Sequence, residues 1–201
     1  MDLRNSVTKD NLMRAFAGEC QAMNRYMISA SQAKAEKLQV IEAVFRFTAE
    51  QERQHARVFY RHLSELTGTN ISIDGAYPVD ISKDVVKLLR MAEHNEHEEH
   101  DDVYRKFAET AEEEGLMGPA GSFRQIAEIE KTHGERFGLF ADLLEQGELF
   151  VSKAETAWMC LECGNIYRGK EVPEQCPVCH HDRGYFIRLE LAPYTGQIQI
   201  H

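Results

Sequence analysis

From about residue 6 to 147 the apolar residues recur with the 3.6-residue period of amphipathic helices, and four long segments follow from that period. The first, about 6–35, puts Leu12, Phe16, Glu19, Met23, Tyr26 and Ala30 on one face. The second, about 37–67, does the same with Ile41, Phe45, Thr48, Glu52, His55, Phe59 and Leu63. In the third, about 81–114, the face carries Leu89, Ala92, Glu96, Glu99, Val103 and Phe107. The fourth, about 120–147, carries Phe123, Ile126, Glu130, His133, Phe137, Phe140 and Leu144. Gly68 and Gly115 are the expected C-terminal stops, and Asp80 or Ser82 the expected cap before the third segment. Residues 67–80 have no helical pattern and read as a crossover. Short first and last turns with one long middle connection predict a mainly α fold, a four-helix bundle over residues 1–147.

The texture changes after residue 147. Residues 148–156 read as a linker, and 157–191 as a small module with short β strands, punctuated by Cys, Gly and Pro. The tail, 192–201, has no assignment. Cys160-x-x-Cys163 and Cys176-x-x-Cys179, with 12 residues between them, form two knuckles. Paired knuckles make a tetrahedral four-sulfur site for zinc or iron. Composition narrows the partners. The chain has 201 residues, with 33 acidic against 23 basic side chains and a net charge of −10, which argues against nucleic acid and anionic membranes. There is no signal-peptide pattern and no apolar run long enough to span a bilayer, so a cytoplasmic location is expected. In that setting clustered cysteines read as metal ligands rather than disulfides.

Each apolar helical face contains a Glu where Leu belongs. Glu19, Glu52, Glu96, Glu99 and Glu130 share faces with Leu, Ile, Phe and Met, and His55 and His133 each follow a Glu by three residues. Buried carboxylates facing one another must be protonated, paired or bound to cations. These faces offer no Lys or Arg, so cations are the best account. One Glu from each of two helices and Glu-x-x-His from each of the other two is a di-iron or di-manganese arrangement. The spacing repeats, 33 residues from Glu19 to Glu52 and 34 from Glu96 to Glu130, so the bundle reads as two related hairpins. Glu99 breaks the symmetry, because the equivalent place in the first segment is Ala22. Tyr26 and Tyr104 are placed to hydrogen-bond a ligand carboxylate or a bound oxygen species. His94, His97 and His100 read as a solvated stripe, and Cys20 as a buried thiol.

Taken together, the chain resembles a rubrerythrin, a ferritin-like di-iron bundle followed by a rubredoxin-like domain. The resemblance spans about residues 5–190. It is carried by Ala17-Gly18-Glu19-Cys20-Gln21-Ala22, Glu52-Arg53-Gln54-His55-Ala56, Glu96-His97-Glu98-Glu99 with Tyr104, the stretch Phe107 to Gly115, Glu130-Lys131-Thr132-His133, and Trp158 to Gly164 with Cys176-Pro177-Val178-Cys179. It implies Glu19, Glu52, His55, Glu96, Glu99, Glu130 and His133 as di-iron ligands, with Glu99 and His55 at the positions between which one iron moves on redox change. It implies Cys160, Cys163, Cys176 and Cys179 as ligands of a rubredoxin-like iron, with zinc the alternative. The implied activity is reduction of hydrogen peroxide to water in oxidative-stress defence, with Tyr26, Tyr104 or a ligand carboxylate relaying protons. His180 departs from the pattern, which expects Gly after the fourth Cys, and 192–201 runs beyond the usual end.

Glu130 lies 17 residues before position 147, roughly 26 Å along the helix from the linker. Either the linker folds back, which its reach of about 30 Å permits, or a neighbour's module docks beside the bundle. The family's head-to-tail homodimer favours the second. No G-x-G-x-x-G follows a strand, so electrons are expected from a protein donor such as a reductase or a free rubredoxin. The competing readings are a ferroxidase or iron-handling protein that uses dioxygen, and a zinc-ribbon interaction module on a structural metal bundle.

Overall fold

A computed structural model describes residues 2–195. Helices α1 (Val7–Ala35), α2 (Gln39–His62), α3 (Val85–Glu98), α4 (Tyr104–Glu113) and α5 (Met117–Glu145) build the bundle. A π-helical turn, Glu99–Val103, joins α3 to α4, so the third arm is one helix carrying a bulge. Strands β1 (Val151–Cys160), β2 (Ile166–Glu171) and β3 (Phe186–Arg188) form an antiparallel sheet in the order β2-β1-β3. The stretch 148–156, expected as a linker, is already strand from Val151, which pairs with Glu171.

The helix ends show how local chemistry sets the boundaries. At α1 the Ser6 hydroxyl accepts from the Lys9 N–H, and the Glu114 carboxylate reaches over from the end of α4 to accept from the N–H groups of Val7 and Thr8 at 2.8 and 2.9 Å. These bonds satisfy donors that a helix start leaves unpaired. Before α3 the cap is Asp84, which accepts from Val86 and Lys87; the expected Ser82 instead accepts from the Asp84 N–H, and Asp80 serves elsewhere. Gly115 ends α4 at φ +75, as expected. The α2 helix stops at His62 and a 3-10 turn, Ser64–Leu66, precedes Gly68 at φ +85.

The π turn corrects the register read for the third arm. The face expected through Val103 and Phe107 is displaced by one residue: Tyr104, Ala108 and Ala111 are buried, while Val103 and Phe107 are only partly so. The Tyr104 N–H bonds to the Glu99 carbonyl, an i→i+5 closure that accommodates one surplus residue.

Two apolar clusters fill the bundle. One, around Tyr26, Ile41, Phe45, Leu89 and Phe137, occupies the end near the α1–α2 turn; the other, around Leu12, Phe59, Tyr104 and Phe123, occupies the opposite end. The buried carboxylates form a layer between them. The sheet packs on the first end. Ile187 and Ala192 join the cluster of Val40 and Phe140, and Gly184 lies so close to the α1–α2 turn that a Cβ there would come within 2.0 Å of the Lys37 carbonyl. Trp158 is fully buried in the module's own core, its Nε1 donating to the Gly169 carbonyl at 3.0 Å.

Candidate metal centres

Four helices bring six of the expected ligands into one layer. Glu19 from α1, Glu52 and His55 from α2, Glu96 from α3, and Glu130 and His133 from α5 are all at most 7% exposed. They form two groups that share Glu52 and Glu130: Glu19, Glu52, His55 and Glu130, and Glu52, Glu96, Glu130 and His133, with ligand atoms within 4.8 Å of one another in each. His133 Nδ1 approaches Glu52 Oε1 at 2.8 Å and Glu130 Oε2 at 2.9 Å. Yet none of these three atoms has a hydrogen-bond partner, nor do Glu19 Oε2, Glu96 Oε2, Glu130 Oε1 and His133 Nε2. Buried polar atoms in natural proteins are almost always satisfied. Donor atoms that converge without hydrogen-bonding suit a pair of cations, and carboxylate oxygen with imidazole nitrogen suits iron.

Crowding in the layer perturbs each of its acids and bases. Burial, then the neighbouring carboxylates Glu130 and Glu52, hold Glu19 well above the usual carboxylate range. Glu130 is held up by burial and by Glu52, and Glu96 is raised by the same two causes. At Glu52 burial is outweighed by the close approach of the His133 and His55 rings, which brings it to about 2. At His133 burial is outweighed by Glu130, Glu52 and Glu96, which raise it to about 11. Cation binding there displaces protons.

The tyrosines take the places expected of them. The Tyr26 hydroxyl donates to Glu96 Oε1 and the Tyr104 hydroxyl to Glu19 Oε1. Tyr26 packs on Phe137 at 5.0 Å and Tyr104 on Phe59 at 5.3 Å, so each links the carboxylate layer to one aromatic cluster.

Glu99 is the expected ligand that the fold does not bring into either group. It sits on the π turn, partly exposed, and lines a cavity of about 200 Å³ together with Gly18, Gln21, Arg25, Tyr77 and Tyr104. Burial, then Glu96 and Glu52, push its carboxyl well up. Of the expected stripe, His94 is exposed, whereas His97 and His100 are half-buried; His97 lies against Gly134, and His100 bonds Asp101 at 2.7 Å. Cys20 is partly buried, and burial raises its thiol.

The helical pattern does not reveal Arg25, Asp80 and Asn95. Arg25 pairs with Asp80 on the crossover, and Asn95 donates to the same Asp80 oxygen at 2.7 Å. This clamp ties the crossover to α1 and α3 beside the cavity. Arg136 is missed as well: it donates to Thr48 Oγ1 at 2.9 Å and to Gln51 at 3.0 Å, next to Glu52.

In the module, Cys160 and Cys179 sulfurs lie 3.8 Å apart, and those of Cys163 and Cys176 lie 3.7 Å apart. A tetrahedron with metal–sulfur bonds of about 2.3 Å has edges of about 3.8 Å. The knuckles are near-equivalent: Gly164 N–H donates to the Cys160 carbonyl at 2.8 Å and His180 N–H to the Cys176 carbonyl at 3.0 Å. Both residues are left-handed, Gly164 at φ +76 and His180 at φ +60, so histidine adopts the conformation for which glycine is expected. At Cys176 burial is outweighed by the N–H groups of Cys179 and Val178, which hold the thiol at about 6.

Sequence models of known families match both parts of the chain: rubrerythrin over residues 10–141, and the rubrerythrin rubredoxin-like domain over residues 158–187. The chain belongs to the rubrerythrin family. The rubrerythrin of Clostridium perfringens is 40% identical over 92% of this chain and 95% of its own length. That of Porphyromonas gingivalis is 42% identical over 92% and 90%. Fully reduced nigerythrin aligns in structure with a TM-score of 0.61 at 26% identity, over 92% of this chain and 90% of that one. As a rubrerythrin-family protein the chain is a di-iron oxidoreductase of oxidative-stress defence. The family's cofactors, a di-iron centre and one iron on four thiolates, fit the orphaned carboxylate–histidine layer and the tetrahedral sulfur set. Among the described residues no helix is long and apolar enough to cross a membrane.

Proposed function

We propose that the chain reduces hydrogen peroxide to water at the di-iron layer, with electrons relayed through the four-thiolate iron. The observation that carries this reading is the pairing, in one chain, of a buried carboxylate–histidine layer with a four-sulfur site. A protein that only stored or oxidised iron has no use for the second. The ligands are Glu19, Glu52, His55 and Glu130 for one iron, and Glu52, Glu96, Glu130 and His133 for the other. Glu99, outside both groups but close to them, is the alternative to His55 when the redox state changes.

When bound, the ferrous pair supplies two electrons and Lewis acidity for cleavage of the O–O bond. The protein supplies the rest. Tyr26 and Tyr104 fix the orientation of Glu96 and Glu19 through their hydroxyls. The aromatic clusters on either side exclude water from the layer. The cavity beside Glu99 leads substrate to it, and Glu99 and the Tyr104 hydroxyl hold the protons for the departing oxygens. Two protons and two electrons convert one peroxide to two waters.

In one chain the sheet docks at the α1–α2 turn, and Glu52 lies 13 residues past Gln39, roughly 20 Å further along α2. Electron transfer within the chain is therefore long. The proposed assembly is a head-to-tail homodimer in which the partner's module serves this bundle, with electrons entering from a reductase or a rubredoxin. A mixed dimer of one chain lacking 157–201 and one lacking the di-iron ligands retains turnover on this view. A dead mixed dimer whose parent homodimers fold would exclude it. The peroxidase reading is tested by Glu52→Ala, which removes a ligand shared by both groups. Turnover should vanish while the thiolate–iron absorption persists, and unchanged turnover would remove Glu52 from the site.

A further inference from the structure

The cavity beside Glu99 and Tyr104 is larger and more apolar than hydrogen peroxide requires. It holds about 200 Å³, whereas a water-sized molecule needs only ~10–15 Å³ on the same measure. One end is polar, with Glu99 and Tyr104 at the edge of the di-iron layer. Apolar surface predominates in the remaining wall, from Ala15, Gly18, Tyr77, Val103 and Phe107, although Arg14, Gln21, Arg25, Asn95 and Glu98 also line it. Hydrogen peroxide is polar throughout and gains nothing from the apolar part, whereas an alkyl group does.

The wall is also held in place. Gly18 stands in mid-helix, where glycine is disfavoured, and a side chain there would project toward Tyr77, whose ring carbon lies 3.7 Å from the Cβ position. Tyr77 in turn is fixed over α1 by its hydroxyl, which donates to the Arg14 carbonyl at 3.1 Å. The Arg25–Asp80–Asn95 clamp secures the same crossover. The glycine and the pinned ring together form one side of the pocket, and a longer side chain at position 18 would fill it.

We propose that this chain also reduces small organic hydroperoxides, with the alkyl group seated in this cavity and the hydroperoxide group directed at Glu99 and Tyr104. The inference rests on the peroxidase reading and names a second substrate class for the same site. The O–O bond breaks, and two electrons from the ferrous pair and two protons convert ROOH to ROH and water. The protein electron donor restores the ferrous pair.

The test compares hydrogen peroxide with tert-butyl hydroperoxide, using the full-length, iron-loaded protein reduced without oxygen. Two variants narrow the cavity: Gly18→Leu from the helix and Ala76→Trp from the exposed crossover, where the bundle core is untouched. The native chain should turn over both substrates. In each variant the ratio of kcat/KM for tert-butyl hydroperoxide to that for hydrogen peroxide should fall about tenfold or more, the loss expected when roughly two methylenes lose their apolar contact. Binding is read independently from tert-butanol, the product alcohol. Its methyl resonance should be broadened by the native diferrous protein, and less so by the Gly18→Leu protein. Reduction of hydrogen peroxide without reduction of the organic substrate, or a ratio unchanged in both variants, would overturn the inference and leave the peroxidase reading standing. Failure with both substrates would overturn that reading and this inference with it.

Discussion

Deleting Asp101 from the π turn should leave the bundle standing. In an uninterrupted α-helix a one-residue deletion rotates everything beyond it by about 100° and shifts it ~1.5 Å. Here that would carry Tyr104, Ala108 and Ala111 out of the core. Burying a side chain the size of Tyr104 is worth about 1.5–3 kcal/mol. Its hydrogen bond to the Glu19 carboxyl adds about 0.5–1.5 kcal/mol. A rotated arm would thus lose at least ~2 kcal/mol from a total stability of about 5–15 kcal/mol. The turn, however, contains one surplus residue, since the Tyr104 N–H closes on the Glu99 carbonyl. Removal of Asp101, which is exposed, converts the turn to regular α-helix. Glu96 and the tyrosine then stand seven residues apart, roughly 20° short of two full turns, and both flanks keep their faces. The expected change is within about 1 kcal/mol. Urea unfolding followed by helical circular dichroism measures it. A loss of about 2 kcal/mol or more would show that the bulge does not set the register of the third arm.

Two other perturbations test the capping and the knuckle geometry. The Glu114 carboxylate caps α1 across the bundle; burial alone would raise its pKa, but hydrogen bonds from Thr8 and Val7 outweigh this and hold it below the usual range. A depressed folded-state pKa gives stability that is present above the unfolded value, about 4.3, and lost as pH falls through the folded one. Glu114→Ala should therefore cost about 1–2 kcal/mol at pH 7, with the gap from the native protein shrinking toward pH 4, and an equal gap at both would refute the cap. His180 occupies a left-handed position that costs a residue with a Cβ roughly 1–2 kcal/mol. His180→Gly should raise, and His180→Val lower, the temperature at which the thiolate–metal absorption is lost; the reverse order would mean that the imidazole itself supports the knuckle.

The carboxylate–histidine layer was legible because a helical face tolerates few exceptions. Glu19, Glu52, Glu96 and Glu130 stand among Leu, Ile and Phe at helical spacing, and no solvated surface produces that pattern on four segments at once. The cysteine knuckles were legible from spacing alone. The π turn was not, because Val103 and Phe107 on one register and Tyr104 and Ala108 on the next are all apolar. Only the step of eight from Glu96 to Tyr104 hinted at the extra residue. The crossover's part in the cavity was hidden for a different reason: Tyr77 and Asp80 lie in an irregular segment, where no period assigns a side chain to a face. Glu114 falls within the Phe107–Gly115 stretch at the end of the third segment, yet it caps a helix more than a hundred residues earlier in the chain. Such contacts belong to the packing of elements, and local pattern carries no trace of them.

Hydrogen peroxide, rather than dioxygen, is the oxidant we propose for this di-iron layer. Stopped-flow mixing of the fully reduced, iron-loaded chain with equal concentrations of each oxidant distinguishes the two. Hydrogen peroxide should oxidise the diferrous centre and then the four-thiolate iron far faster than dioxygen does. Oxidation by dioxygen at an equal or greater rate would rule out a peroxidase and point instead to an iron-oxidising protein.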